Sequence, residues 1–440
     1  MNSTTRLTHR WRVLFFTLDF YFYFLPTLDR VYGAADPNSG TAALLEVAKG
    51  LGKLYTEYGW RPLRSIYLLS WSGEEYGLLG STGWAELNSK EMFISRALAY
   101  LNVDTVVSGD HLKVSASPTL ITLWKQVLHD LQHKYNHTTS TTTIDGSDNN
   151  EKDDRPPLPY FDNPPYGAVH DTNTDWTWED DNASNRIIRV PSDIPGILGS
   201  GSDYTVFLDH FGIPSLDFSF GKRDATYGQY HSIYDSFAWM DKFGGHDNEP
   251  GSSFEIIAFA AKIWGLLAMR LADSDIVPLD HISQGTALSS YLEGIQKQDN
   301  SIVERLDFTK LEKAIRLYES AAANIQLRCH SSNGYKIDVA TLDDSNNKEE
   351  GLDLNAAITS SDKCNERIGL TERELLLEEG LPQRPWFKHV LQAPGLNLGY
   401  AAEAFPSIQQ AIDEGDFDVA QEQVIKVAQR IDAAADKLNF

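Results

Sequence analysis

Two adjacent carboxylates, Glu74 and Glu75, stand just beyond an apolar, partly β-branched run from Arg64 to Ser70. A run of that length with no charge inside it predicts a buried strand of a covered sheet. Ligand-binding groups in open α/β sheets gather at the carboxyl ends of strands. Two neighbouring acids there can divide their labour: one binds a cation, and the other takes a proton from the water that the cation activates. Glutamate pairs are otherwise ordinary solvated surface, so this reading depends on partners elsewhere in the chain. Asp36 lies in the turn cluster Gly33–Gly40, Asp104 ends the run ALAYLNVD (97–104), and His231 lies in the stretch Tyr227–Asp235. Each sits at the end of an apolar segment or in a Gly/Ser/Pro-rich turn, and in an α/β sheet such ends converge. Carboxylates with an imidazole suit Zn²⁺, and a bridging Asp can hold two ions close together. Three carboxylates brought together without cations would repel one another. Each also has a plainer role: Asp36 before proline as a turn former, Asp104 as a helix cap, His231 as a structural histidine.

The elements that must position these groups read as strands alternating with helices. Apolar residues Leu44, Leu45, Val47, Ala48, Leu51 and Leu54 recur at helical spacing and predict a helix ending near Gly59. Helices are also expected around 78–87, over 117–135 beginning at Ser117-Pro118, in YTVFLDHFG (204–212) and over 253–273, with a strand at 213–220. This alternation indicates an α/β fold with a mixed sheet flanked by helices. From about residue 280 the segments 284–330, 371–380 and 407–438 read as helical with no strand signal, separated by a polar loop at 335–365. The expected division is an uncertain segment 1–31, an α/β domain 32–279 and an all-α domain 280–440. No repeat is visible.

Composition narrows the function. With 62 acidic against 38 basic residues the formal charge is −24, which excludes nucleic acid as a partner because phosphate binding needs basic clusters. Cys329 and Cys364 are too few for a zinc-thiolate site; they either pair in one disulfide or stand as two free thiols. Asn2, Asn136 and Asn182 head glycosylation acceptor motifs that matter only in a secretory compartment. At the N-terminus, Arg6, Arg10 and Arg12 precede an aromatic-rich run from Val13 to Leu28. That pattern suits a signal sequence or an anchor. Its shortness, Asp19 and Pro26 count against a membrane span, and its alternating aromatics suit a buried strand.

Taken together, Asp36-Pro-x-Ser-Gly, Glu74-Glu75-x-Gly-Leu-Leu-Gly-Ser, Tyr-Leu-Asn-x-Asp104 and Tyr230-His231-Ser resemble the M28 metallopeptidases, in the glutamate carboxypeptidase II / transferrin-receptor branch. The likeness runs from about Tyr32 to the C-terminus. The segments 381–389 and 399–406 resemble the helical dimerisation domain of that branch, which implies a homodimer. The resemblance implies a zinc-dependent exopeptidase of carboxypeptidase type acting on peptides, with two Zn²⁺ ions. Asp36 would bridge them, Glu75 and His231 would complete one ion, and Asp104 would belong to the other. Glu74 would be the general base and Tyr230 a hydrogen-bond donor to the oxyanion. Tyr400 and the 199–203 loop, with Gly201 and Ser202, would border the substrate pocket. By the same likeness the protein is expected in the secretory pathway, membrane-associated, vacuolar or extracellular.

Departures from the family pattern carry their own expectations. The family places a metal-binding His ten residues before the bridging Asp, where this chain has Pro26; the nearest upstream His is His9, and Asp29 is the only nearby acid. One ion is therefore expected to lack a protein ligand. The family's upstream sheet strands and inserted domain have no room before Asp36, so the chain reads as N-terminally truncated and by itself inactive. The run 215–219 lacks the arginines of glutamate-preferring members; Lys222 and Arg223 lie just beyond, and Asp217 would repel a substrate carboxylate. A family calcium site is weakened, with Glu86 kept but Gly83 in place of a second acid. The alternatives are an aminopeptidase of the same family and a non-catalytic receptor or trafficking module.

Overall fold

The computed structural model describes residues 12–19, 32–89, 96–138, 176–177, 189–190, 196–222, 227–245, 250–298, 304–334 and 354–439. Pro26, Asp29, His9, Asn2, Asn182 and Arg223 lie outside them. The chain forms a sheet of strands β1 (Arg12–Asp19), β2 (Ser65–Trp71), β3 (Ala97–Asn102), β4 (His111–Ala116), β5 (Trp176–Thr177), β6 (Arg189–Val190) and β7 (Ser215–Gly221) in the order β2-β1-β3-β7-β4-β6-β5. Strands β2, β1, β3 and β7 run parallel, whereas β4 returns antiparallel to β7. Two expectations are corrected here. The apolar N-terminal run supplies a sheet strand, β1, between β2 and β3, so this part of the chain does have room for one. Strand β4 was not foreseen, because His111 and Lys113 break its apolar pattern.

Helices cover both faces. α1 (Asn38–Glu57) and α5 (Ser252–Asp273) pack together, with Ala43, Leu44, Val47, Ile256, Ile263 and Leu267 in one buried cluster. On the sheet side, the Trp264 indole donates to the Leu101 carbonyl of β3 at 3.2 Å. The apolar content of α5 is what allows it to lie fully against the sheet. Its C-terminus is closed by the buried Arg64, whose guanidinium donates to the carbonyls of Leu271, Ser274 and Asp275. A cation there complements both the unpaired carbonyls and the helix dipole. α2 (Leu79–Leu87), α3 (Ile121–Thr138) and α4 (Phe237–Phe243) complete this part.

The remainder is built on α6 (His281–Gln296), α7 (Thr309–Gly334), α8 (Leu354–Leu370), α9 (Pro406–Asp413) and α10 (Phe417–Leu438). Asp280 caps α6 by accepting from the amides of Ile282 and Ser283, and also receives the Thr122 hydroxyl from α3. Cys329 on α7 and Cys364 on α8 form a buried disulfide, which resolves that alternative. The segment expected to be a loop through 365 is helical from Leu354. Of the segment 371–380, Thr371–Leu375 is helical, as a short 3₁₀ helix, and the remainder is not. This region also contains a hairpin, β8 (Gln392–Pro394) with β9 (Ala402–Ala404), where no strand was expected. These strands have three residues each, too short to show a period-2 pattern.

Candidate active site

Asp36 stands at the entry to α1, and its position is set from the backbone. The buried Asp235 carboxylate accepts from the amides of Ala35 at 2.9 Å and Asp36 at 3.0 Å. Ser39, on the first turn of α1, donates to the Ala35 carbonyl and accepts from the Val106 amide at 2.9 Å, which ties this turn to the loop carrying Asp104. Glu74 and Glu75 leave the end of β2 through Gly73, whose φ of 71° is a left-handed conformation that glycine adopts without strain. His231 comes from the opposite wall. It also holds a left-handed φ, of 53°, in a tight turn closed by Tyr230 N–H to Tyr227 and Ser232 N–H to Gln229. For a side-chain-bearing residue this costs on the order of 1–3 kcal/mol, the kind of strain found at functional sites.

These placements bring Asp36, Glu75 and His231 together: one ligand atom from each lies within 4.8 Å of the others. The His231 Nε2 is 3.0 Å from a Glu75 oxygen and 3.4 Å from an Asp36 oxygen. Asp104 is not in that trio, but it neighbours Asp36 closely enough to interact with it through a side-chain hydrogen bond. Its other carboxylate contact is the Ser202 hydroxyl, which donates at 2.8 Å. Electrostatics mark the crowding. Burial, then the charge of Glu75, pushes the Asp36 carboxyl up to about 7. Burial and the charge of Asp36 hold Asp104 well above the usual carboxylate range. Burial lowers His231, favouring the neutral imidazole that ligates metals. A divalent cation fits this donor set: two carboxylates and an imidazole converge with space left over, and its charge would relieve the repulsion. For a second ion, the described residues offer the carboxylates of Asp36 and Asp104.

All nine residues singled out in the sequence, namely Asp36, Glu74, Glu75, Asp104, Gly201, Ser202, Tyr230, His231 and Tyr400, line one cavity of about 500 Å³. Tyr230 stacks on the His231 ring at 3.6 Å, and its phenol is pushed up by burial and by the charges of Asp36 and Glu75, so it remains a protonated donor. Tyr400 reaches the site because the 199–201 loop docks on its backbone. The Ser200 amide donates to the Tyr400 carbonyl at 3.2 Å, and a Cβ on Gly199 would come within 2.0 Å of that oxygen. Asp217 also lines the cavity, accepting from the Asn102 amide at 2.8 Å; burial raises it to about 6.

Sequence reading missed other residues. Thr105, Trp386 and Phe387 line the cavity, and Asp235 clamps the Asp36 turn. Asp235 ends the quoted Tyr227–Asp235 stretch, and its spacing of four residues from His231 was the available signal. Trp386 donates through its indole to Glu86 at 2.8 Å, so the acid considered for calcium has a hydrogen-bonded partner across the two parts of the chain.

A family model of peptidase family M28 matches residues 21–187, and one of the transferrin receptor-like dimerisation domain matches residues 306–439. The first of these two matches lies in the N-terminal half of the chain and the second in the C-terminal third. Probable glutamate carboxypeptidase LAMP1 of Arabidopsis thaliana is 33% identical over 407 residues, 91% of this chain and 49% of that protein. Aminopeptidase NAALADL1 of Rattus norvegicus is 30% identical over 390 residues, 87% of this chain and 44% of that protein. The chain thus spans about half the length of the curated relatives it matches. Among solved structures, the zinc aminopeptidase BSAP from Bacillus subtilis matches with a TM-score of 0.37 and 17% identity, over 61% of this chain and 47% of that one. The peptidase family M28 match falls in the α/β part and the dimerisation-domain match in the helical part.

Proposed function

We propose that this chain carries a zinc-dependent exopeptidase site, of carboxypeptidase type, that hydrolyses a terminal peptide bond. The observation that carries the proposal is the convergence of Glu74 and the Asp36–Glu75–His231 trio on one cavity. Asp36, Glu75 and His231 would hold one ion; Asp36 and Asp104 would hold the second. Zinc, when bound, supplies Lewis acidity toward the attacking water and the scissile carbonyl. Glu74 takes the proton as the water oxygen bonds to the carbonyl carbon, then delivers it to the leaving amine as the C–N bond breaks. Tyr230 donates to the oxyanion that forms between these steps. Gly201, Ser202 and Tyr400 border the bound peptide.

The same proposal takes 32–279 as the peptidase unit, with β1 seated between β2 and β3 of its sheet, and 280–440 as a helical unit through which two copies pair. The Cys329–Cys364 disulfide supports an oxidising location such as the secretory pathway or vacuole. No helix among the described residues is long and apolar enough to cross a membrane.

A second reading, an aminopeptidase, is favoured by the absence of Lys and Arg among the described cavity-lining residues, since such a cation would hold a substrate carboxylate. N-acetylated peptides separate the two, because an aminopeptidase needs the free amine. The test of catalysis itself is hydrolysis of short peptides by zinc-loaded wild type and Glu74→Gln. Loss of roughly 10²-fold or more in kcat is expected for removing a general base. Equal rates would exclude Glu74 chemistry and leave the non-catalytic receptor or trafficking module.

A further inference from the structure

We infer that Asp217 makes this cavity select a cationic side chain on the substrate residue seated against β7. The inference rests on the peptidase reading for the ligand being a peptide. Among the described residues, five carboxylates line the cavity, from Asp36, Glu74, Glu75, Asp104 and Asp217, together with no lysine or arginine. Four of the five are occupied by ion binding or proton transfer. Asp217 has neither role; it lies on β7, in register with Asn102 of β3 and near enough to Asp104 for their charges to interact. The Asn102 amide donates to one Asp217 oxygen at 2.8 Å and also to the Ser202 hydroxyl at 3.0 Å. Asn102 is neutral, so it fixes the carboxylate in place without cancelling its charge.

Among the described residues, the lysines on β4 and at the end of β7 do not line the cavity. Lys113 lies against Gly221, with its Nζ 3.0 Å from where a Cβ of that glycine would be, and Lys222 follows the strand. Ser219, two residues from Asp217 and therefore on the same face of β7, lines the cavity as a small neutral neighbour and leaves space for a long side chain. Trp386, Phe387 and Tyr400 line the same cavity and supply apolar and aromatic surface for the methylene stem of a lysine or arginine. An uncompensated carboxylate in a cleft with low-dielectric walls attracts a cation more strongly than one in open water. The same charge repels a carboxylate side chain, and like-charge juxtaposition is a strong specificity element.

The test uses zinc-loaded full chain and two sets of N-acetylated tripeptides with a free carboxyl terminus. X is placed at the last position in one set and the penultimate position in the other, as lysine, norleucine or glutamate. Binding is measured by calorimetry on Glu74→Gln, and cleavage on the otherwise unaltered chain. In one set the affinity is expected to fall by at least about tenfold from lysine to norleucine, and again to glutamate. Asp217→Asn keeps the acceptor for Asn102 and is expected to erase the lysine preference; Asp217→Arg is expected to reverse it toward glutamate. Binding of lysine no better than norleucine in both sets overturns the inference, as does a preference unchanged in Asp217→Asn. Cleavage of the norleucine peptide without a lysine preference sinks the inference alone. Charge-ordered binding without cleavage sinks the carboxypeptidase reading alone, and no binding of any peptide overturns the inference together with that reading.

Discussion

At the scale of single residues, the site is held by groups that do not themselves face a substrate. Asp235 places no atom in the trio, yet its two oxygens receive the amides of Ala35 and Asp36 and so fix the direction of the Asp36 carboxylate. Asp235→Ala would leave both amides without that acceptor and free the turn. Loss of such a supporting contact is expected to weaken zinc affinity by about 10- to 100-fold, read by competition with a chelator. Unchanged affinity would mean that the turn keeps its shape without the clamp. Asp36, Glu75, Asp104 and His231 were legible in the sequence because each ends an apolar run or sits in a turn of small residues. Asp235 was harder to read, because it binds backbone amides, which have no sequence signature, and only its place four residues after His231 pointed to it. Trp386 and Phe387 were equally hidden: aromatic residues read as core until a fold shows which cavity they border.

At the scale of elements, the strand ends deliver the acids and one backbone approach delivers the aromatic wall. The strands β2, β3 and β7 and the helices α1 and α5 were legible from period and apolar length alone. Strand β1 was half legible, as one of three readings of the N-terminal run. Strand β4 and the β8–β9 hairpin were not, since the first carries charge on its open face and the second is too short for a pattern. Packing of the 199–201 loop on Tyr400 depends on the missing side chain of Gly199. Gly199→Ala would set a Cβ 2.0 Å from the Tyr400 carbonyl oxygen and 3.0 Å from the Ala402 nitrogen. Backbone must move, at a cost of about 1–3 kcal/mol. Peptide affinity is expected to fall about tenfold, that is by about 1.4 kcal/mol, while zinc content stays the same. Parallel loss of zinc would mean that the two walls of the cavity are not independent.

At the scale of the whole molecule, the α/β and helical parts meet through specific contacts: Asp280 with Thr122, Trp386 with Glu86, and the Tyr400 segment with the 199–201 loop. Cavity residues therefore come from both parts, and the helical part supplies Trp386, Phe387 and Tyr400 to the cavity wall. The Cys329–Cys364 bond closes a sequence separation of 35 residues within it. Its removal by Cys329→Ser with Cys364→Ser is expected to cost about 2–4 kcal/mol, seen as a lower urea midpoint. An unchanged midpoint would show that the helices hold together without it. The proposed metal site is built from residues far apart in the chain. Zinc content of the purified full chain, measured by elemental analysis beside Glu75→Ala and His231→Ala, tests it most directly. At least one zinc per chain is expected in the wild type and its loss in both variants; a wild type that holds no more zinc than the variants would contradict the claim.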